Sequence, residues 1–271
     1  MDAFNNKIVL ITGGTDGIGK ELVLQFLRLG AKVVTCGRSQ QKILALESES
    51  PVGNLSVINA DISIEKDCER LVNHTVNLFG GIDILINNAG ISMRGLLEDG
   101  GHSMIPVIKK VMDINFYGSL YTTTHALPYL VKAKGTIVGI SSIAGYRGLP
   151  GRSGYSASKF ALQGWLEALK TELLDKHVHV MWISPGFTKS SIRNEALIED
   201  GKNQGESPLD ESKLMSADEC ASLIIAAIKK RKRTLVMTFQ GKQTVFLNKF
   251  FPGLADKLVH AFFFKKGKLV K

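Results

Sequence analysis

From residue 8 onward, short apolar runs alternate with longer amphipathic stretches. Ile8-Val9-Leu10-Ile11 is an unbroken apolar run, the pattern of a strand buried on both faces. Similar runs fall at 32–36, 55–58, 83–87, 136–140, 178–183 and 235–237, and predict about seven strands in all. Helical spacing of apolar positions occupies 17–29, 40–47, 65–79, 104–131 and 155–174. Gly30 stands just past the first of these, where a left-handed residue commonly closes a helix. Ser216-Ala217-Asp218-Glu219 has the form of a capping box and predicts a further helix to residue 228. Pro106 and Pro128 flank the 104–131 stretch and predict a cap or kink at each end.

Strands that alternate with helices belong to an α/β chain, in which a doubly wound parallel sheet carries helices on both faces. There is no internal repeat and no linker. The polar segment 189–212 is too long for a plain connection, and segments of this kind often serve as lids. The expected organisation is therefore one catalytic unit over 1–245, with a lid at about 188–215, followed by a basic, aromatic extension over 246–271.

Composition narrows the class. A chain of 271 residues that is 44% hydrophobic and 22% charged has no large disordered part. Three scattered cysteines, Cys36, Cys68 and Cys220, argue for reduced thiols rather than a disulfide framework. Residues 1–7 lack a signal-peptide core, and no apolar run reaches the ~18 residues of a membrane span, so the expectation is cytoplasmic. The net charge of +9 suits nucleic acid, an acidic membrane surface or an anionic cofactor. The cluster 229–233 follows a predicted helix, whose C-terminal end attracts cations. No recognition motif accompanies it, so nucleic acid is set aside. In the tail, Phe250, Phe251, Leu254, Leu258 and residues 262–264 alternate with Lys257, Lys265, Lys266, Lys268 and Lys271. That composition fits a peripheral membrane contact. Core packing or an oligomer contact is the blander account. The six histidines show no ligand spacing, and no metal is expected.

Candidate chemistry begins at Thr12-Gly13-Gly14-Thr15-Asp16-Gly17-Ile18-Gly19, between the first strand and the first helix. Glycines there permit a tight turn and let a pyrophosphate approach the helix N-terminus. This makes the expected fold a single-domain Rossmann fold. At the end of the second strand, Cys36-Gly37-Arg38-Ser39 offers no carboxylate for a ribose hydroxyl pair. Arg38 and Ser39 instead favour a 2′-phosphate, hence NADP(H) over NAD(H). Asp16 works against that preference, because a carboxylate cannot help to bind the phosphate. Tyr155 and Lys159 lie four apart on one helical face. An ammonium beside a phenol lowers its pKa and makes it a usable acid–base group.

The glycine turn, Asn87-Asn88-Ala89-Gly90, Asn115, Ser141-Ser142, Tyr155-x-x-x-Lys159 and Ser184-Pro185-Gly186 together resemble the short-chain dehydrogenase/reductase superfamily. The resemblance covers about residues 5–240. Within it, 140–145 and 155–160 look most like the 11β-hydroxysteroid-dehydrogenase-like, membrane-associated branch. It implies an oxidoreductase that interconverts a ketone or aldehyde and an alcohol. Tyr155 would move the proton, Lys159 assist it and hold the ribose, Ser142 bind the substrate oxygen and Asn115 support a proton relay. It further implies cofactor contacts at Gly13, Thr15, Asp16, Gly17, Ile18 and Gly19, at Asp61 and Ile62, at Asn88, Ala89 and Gly90, and at Pro185, Gly186 and Thr188. A homodimer or homotetramer through the 104–132 and 155–174 helices is also implied.

Substrate walls are expected from 92–94, 143–152 and Phe187 onward, a mix that suits a lipid-like, steroid-like or acyl carbonyl. Arg94, Arg147 and Arg152 offer charge to an acidic group, unless they are ordinary surface arginines. Two other readings use the same residues. One is a cofactor-binding regulator without turnover, which has no need of the full set Asn115, Ser142, Tyr155 and Lys159. The other is a nucleotide-sugar epimerase, disfavoured by the glycine spacing.

Overall fold

The computed structural model describes residues 3–49, 53–205, 210 and 214–270. Each apolar run becomes a strand: β1 (Ile8–Ile11), β2 (Lys32–Gly37), β3 (Leu55–Asn59), β4 (Ile84–Asn87), β5 (Thr136–Ile140), β6 (His179–Ser184) and β7 (Thr234–Val236). All seven are parallel, in the order β3-β2-β1-β4-β5-β6-β7. The chain winds outward from β1 to β3, returns to the middle at β4 and winds outward again. A crevice therefore opens beyond the C-terminal ends of β1 and β4, where such sheets bind ligands.

The helices are α1 (Gly17–Arg28), α2 (Gln40–Ser48), α3 (Glu65–Phe79), the single turn α4 (Leu97–Gly100), α5 (Met104–Met112), α6 (Gly118–Ala133), α7 (Ser153–Glu172) and α8 (Ala217–Lys229). Strand alternation sorts them onto two faces. Val9 and Ile11 join Phe26 of α1, Leu46 of α2 and Ile224 of α8 in one core. Leu10, between them, points the other way, to Leu71 of α3, Leu130 of α6 and Leu166 of α7. Each fully buried leucine contributes about 1.5–3 kcal/mol, so both layers are firmly held to the sheet.

Two expectations about residues 104–131 are corrected. The stretch is not one helix: a π-helical turn, Asp113–Tyr117, divides α5 from α6. At its end, a Cβ on Gly118 would lie 2.2 Å from Ile62 Cδ1, so the backbone presses against the loop after β3 there. Pro128 does not end the helix but lies inside α6, which continues to Ala133.

The predicted lid is irregular from Thr188 onward, and its residues 206–209 and 211–213 lie outside the described residues, as does Lys271. Beyond β7 the chain forms α9 (Phe239–Phe250), α10 (Pro252–Phe263) and a short hairpin of β8 (Phe264–Lys265) and β9 (Lys268–Leu269). The tail folds back on the molecule. Arg147 pairs with Asp256 at 2.6 Å and donates to Asn248 at 3.0 Å. Phe187 stacks on Phe262 with ring centres 6.5 Å apart. Among the described residues no helix is long and apolar enough to cross a membrane. Cys36, Cys68 and Cys220 are buried free thiols. Burial pushes the first and last up to about 12 and Cys68 to about 11, which leaves them unreactive.

Candidate active site

The glycine turn is tied from three sides. Thr12 Oγ1 accepts from the backbone of Asn88 and Ala89, both at 3.1 Å. Asn88 Nδ2 donates back to the carbonyls of Thr12 and Gly13, both at 3.0 Å. Gly14 N donates to Thr35 Oγ1 at 3.0 Å. Gly13 has φ +67° and Ala89 Cα would be 2.9 Å from any Cβ there, so both conformation and space call for glycine. Asp16 caps α1, accepting from Gly17 N at 2.6 Å, and it also accepts from Ser191 Oγ at 2.8 Å. Its second oxygen is salt-bridged to Lys42. Burial alone would raise the Asp16 pKa. Lys42, Ser191 and Gly17 outweigh that effect and hold it below the ordinary carboxylate value.

Arg38 lies beyond the end of β2, exposed, 3.7 Å from Asp61. Asp61 also accepts from Ser63 N at 3.0 Å and Ser63 Oγ at 2.7 Å. Ser39 caps α2, and Lys42 projects from that helix's first turn into the same region. Lys42 and Arg193 are the site residues that sequence reasoning did not single out. Lys42 had a signal, three residues after the Ser39 cap. Arg193 had none, because it sits in an irregular loop.

At the other end of the crevice, α7 places Tyr155 and Lys159 one turn apart, and Ser142 follows β5. The Ser142 hydroxyl is close enough to the Tyr155 phenol to favour its ionised form. Lys159, buried, donates to Ile140 O at 2.9 Å and lies 5.6 Å from the Tyr155 ring centre. Here the sequence-based expectation needs correction. The phenol is not held below its ordinary pKa but above it. Burial raises it, and Ser142, Arg152 and Arg193 only partly offset the rise. The ammonium is turned toward a carbonyl rather than the phenol. Its own burial lowers Lys159 to about 8.

Asn115 is fully buried in the π-helical turn and does not line the crevice. Its side chain clamps the loop after β4: Oδ1 accepts from Ile91 N at 2.8 Å, and Nδ2 donates to Ile91 O at 3.0 Å. A third bond, to Ser158 Oγ at 2.9 Å, ties the clamp to α7. The π-helical turn makes this reach available, since one extra residue per turn rotates Asn115 toward α7.

The candidate catalytic and cofactor residues other than Asn115 border one crevice of about 570 Å³. It runs from Arg38, Ser39 and Asp61 past Gly13, Thr15, Asp16, Gly17, Ile18 and Gly19, then Ile62, Asn88, Ala89 and Gly90, to Ser142, Tyr155, Lys159, Pro185, Gly186 and Thr188. Described residues of the 188–205 segment also border it: Lys42 pairs with Glu195 at 3.1 Å, and Leu197 N donates to Ser92 O at 2.9 Å. The residue set fits a dinucleotide: a glycine turn leading into a helix N-terminus, cations near one end and a proton donor at the other.

The short chain dehydrogenase family model matches residues 7–200. The chain belongs to that family, and it is an oxidoreductase acting on CH–OH groups. A mouse relative, dehydrogenase/reductase SDR family member 7B, is 35% identical over 262 residues, spanning 94% of this chain and 80% of that protein. The Arabidopsis thaliana 11-beta-hydroxysteroid dehydrogenase-like 4A is 34% identical over 233 residues, spanning 84% and 75%. Among solved structures, a short chain dehydrogenase/reductase from Burkholderia phymatum in complex with NAD superposes with a TM-score of 0.79 at 22% identity, covering 94% of this chain and 96% of that one. This last likeness is one of fold.

Proposed function

We propose that the protein is an NADP(H)-dependent carbonyl reductase or alcohol dehydrogenase for a lipid-like, steroid-like or acyl substrate. The observation that carries this reading is the convergence of Ser142, Tyr155 and Lys159 on the crevice that begins at the glycine turn. The nicotinamide, when bound, supplies or accepts the hydride. Ser142 holds the substrate oxygen. Tyr155, a phenol that keeps its proton at neutral pH, delivers that proton to the substrate oxygen during reduction. Ser142, Arg152 and Arg193 ease loss of that proton, and Lys159, turned toward Ile140 O, would hold the nicotinamide ribose. Asn115 keeps the floor of the site in register through Ile91 and Ser158.

Preference for NADP(H) is supported by Arg38, Ser39 and Lys42 around the expected adenine-ribose end. Asp16 is already paired with Lys42, which weakens its objection to a 2′-phosphate. The 11β-hydroxysteroid-dehydrogenase-like relative and the apolar walls Leu149 and Phe187 support the substrate class. A homodimer or homotetramer through α5–α7, cytoplasmic placement and contact of α9–α10 with an anionic membrane surface complete the proposal. Exposed Tyr117 and Phe160 support the first; the exposed phenylalanines beside Lys249 and Lys257 support the last.

The test is consumption of NADPH and NADH by the purified protein over ketones, aldehydes, steroids and 3-oxoacyl compounds. Tyr155→Phe is expected to lower kcat by at least about a hundredfold, the scale of general acid catalysis. Arg38→Ala is expected to raise KM for NADPH about tenfold, the scale of one charge-assisted contact, and KM for NADH far less. Turnover that survives Tyr155→Phe would overturn the reading. Tight NADPH binding without turnover of any panel member would favour a regulator.

A further inference from the structure

The sequence offers three arginines to an acidic group, and the structure separates them. Arg147 is taken by Asp256 and Asn248 of the tail. Arg152 is not taken. It is 8% exposed, borders the crevice beside Tyr155 and Ser142, and has no ion pair among the described residues. Among the described residues its side chain makes one hydrogen bond, a long one of 3.4 Å from Nη1 to Ser92 Oγ, and its buried Nε has no partner. Burial disfavours charge on Arg152, and the Tyr155 phenol, when ionised, favours it; two cations disfavour it further, Arg193, which donates to Thr188 O at 2.9 Å, and Arg94, whose Nε is also buried without a partner among the described residues.

A guanidinium is charged at any physiological pH. Burying one without an anion is unfavourable, and two more cations beside it make it worse. Arg152 sits at the N-terminal end of α7 and makes no side-chain cap. It lines the same crevice as Tyr155 and Ser142, which a substrate must enter to reach the phenol. Arginine suits carboxylate and phosphate because its paired N–H groups match their oxygens.

We infer that Arg152 is the anchor for an anionic group on the substrate, so that this enzyme reduces or forms carbonyl compounds bearing a carboxylate or phosphate near the reacting carbon. The inference rests on the reductase reading above and deepens it. The anion completes the charge that the fold leaves open, while Leu149, Phe187 and Ile192 border the same crevice and suit an apolar chain. Binding energy then falls on a group close to the carbonyl, which orients it toward Ser142 and Tyr155.

Matched pairs test this on the full chain with NADPH bound: 4-oxopentanoate against its methyl ester, and dihydroxyacetone phosphate against dihydroxyacetone. The wild type should bind at least one anion at least about tenfold more tightly than its neutral partner and show the same bias in kcat/KM. The pair showing the larger bias distinguishes carboxylate from phosphate. Arg152→Gln should lower kcat/KM for that anion at least tenfold further than for the neutral partner, and Arg152→Lys should restore part of it. The melting temperature of Arg152→Gln should not fall, because an uncompensated buried charge is removed; a merely structural arginine would lower it. Equal loss on both members with an alkaline shift of the pH profile would mean that Arg152 serves Tyr155 instead, and would overturn the inference. So would equal binding of anion and neutral partner by the wild type. Anion binding that needs Arg152 but gives no turnover would sustain the anchor and overturn the reductase reading beneath it.

Discussion

Lys159 shows how a single residue trades stability for chemistry. Its ammonium is buried and lowered from 10.5 to about 8. A lysine depressed in the folded state binds fewer protons there than in the unfolded chain between those two pH values. The penalty is therefore full below about pH 8 and disappears as the pH rises toward 10.5. A shift of this size is worth about 3 kcal/mol, reduced by the hydrogen bond to Ile140 O that the charge makes. Lys159→Met is expected to raise the melting temperature at pH 7 while abolishing turnover, and its advantage should shrink steadily toward pH 10. A lower melting temperature at every pH would refute this account. In the wild type, reduction should slow as the pH rises through about 8, where Lys159 loses its proton.

At the scale of the element, the turn between β1 and α1 is the tightest piece of the site. A Cβ on Gly19 would lie 2.2 Å from Gly13 O and 2.4 Å from Asn88 Nδ2. The first of these is backbone and cannot swing aside. Overpacking of this kind costs about 1–3 kcal/mol, so Gly19→Ala should lower the melting temperature by roughly 5 °C. It should also remove most of the stabilisation that added NADPH gives, because the displaced turn carries the expected pyrophosphate amides. Scanning calorimetry with and without the cofactor measures both. The π-helical turn between α5 and α6 works in the same way: it gives up helical regularity to bring Asn115 against the β4 loop and α7 at once.

For the whole molecule, the question is what α9 and α10 face. One side of the pair is held by Arg147–Asp256, by Asn248 donating to Tyr146 O at 2.8 Å and by the Phe187–Phe262 stack. The other side exposes Phe246, Phe250, Phe251, Leu254 and Leu258 between Lys242, Lys249 and Lys257. Apolar side chains rimmed by cations complement an anionic bilayer. Sedimentation with phosphatidylserine vesicles at low salt should bring the protein down. The double substitution Phe250→Ser and Phe251→Ser should leave it in solution without unfolding it, since both rings are exposed. Equal sedimentation of wild type and variant would refute the contact.

The apolar runs and glycine turn determined the seven strands and the crevice, because strand alternation and positive φ are local demands that each residue type either meets or does not. Tyr155 and Lys159 were legible as a pair through the four-residue spacing that puts them on one helical face, whereas Ser142, Asp61, Asn88 and Thr188 were reached through the family resemblance, and the crevice gathers them all. Tertiary structure decided the rest. It broke the 104–131 stretch at a π-helical turn, since only contact with Ile62, Ile91 and Ser158 makes that turn worthwhile. It turned Lys159 toward Ile140 and raised the Tyr155 pKa, which depends on burial rather than on spacing. It also separated Arg147 from Arg152: one meets a carboxylate 109 residues away and the other meets none among the described residues, and no pattern along the chain encodes that difference.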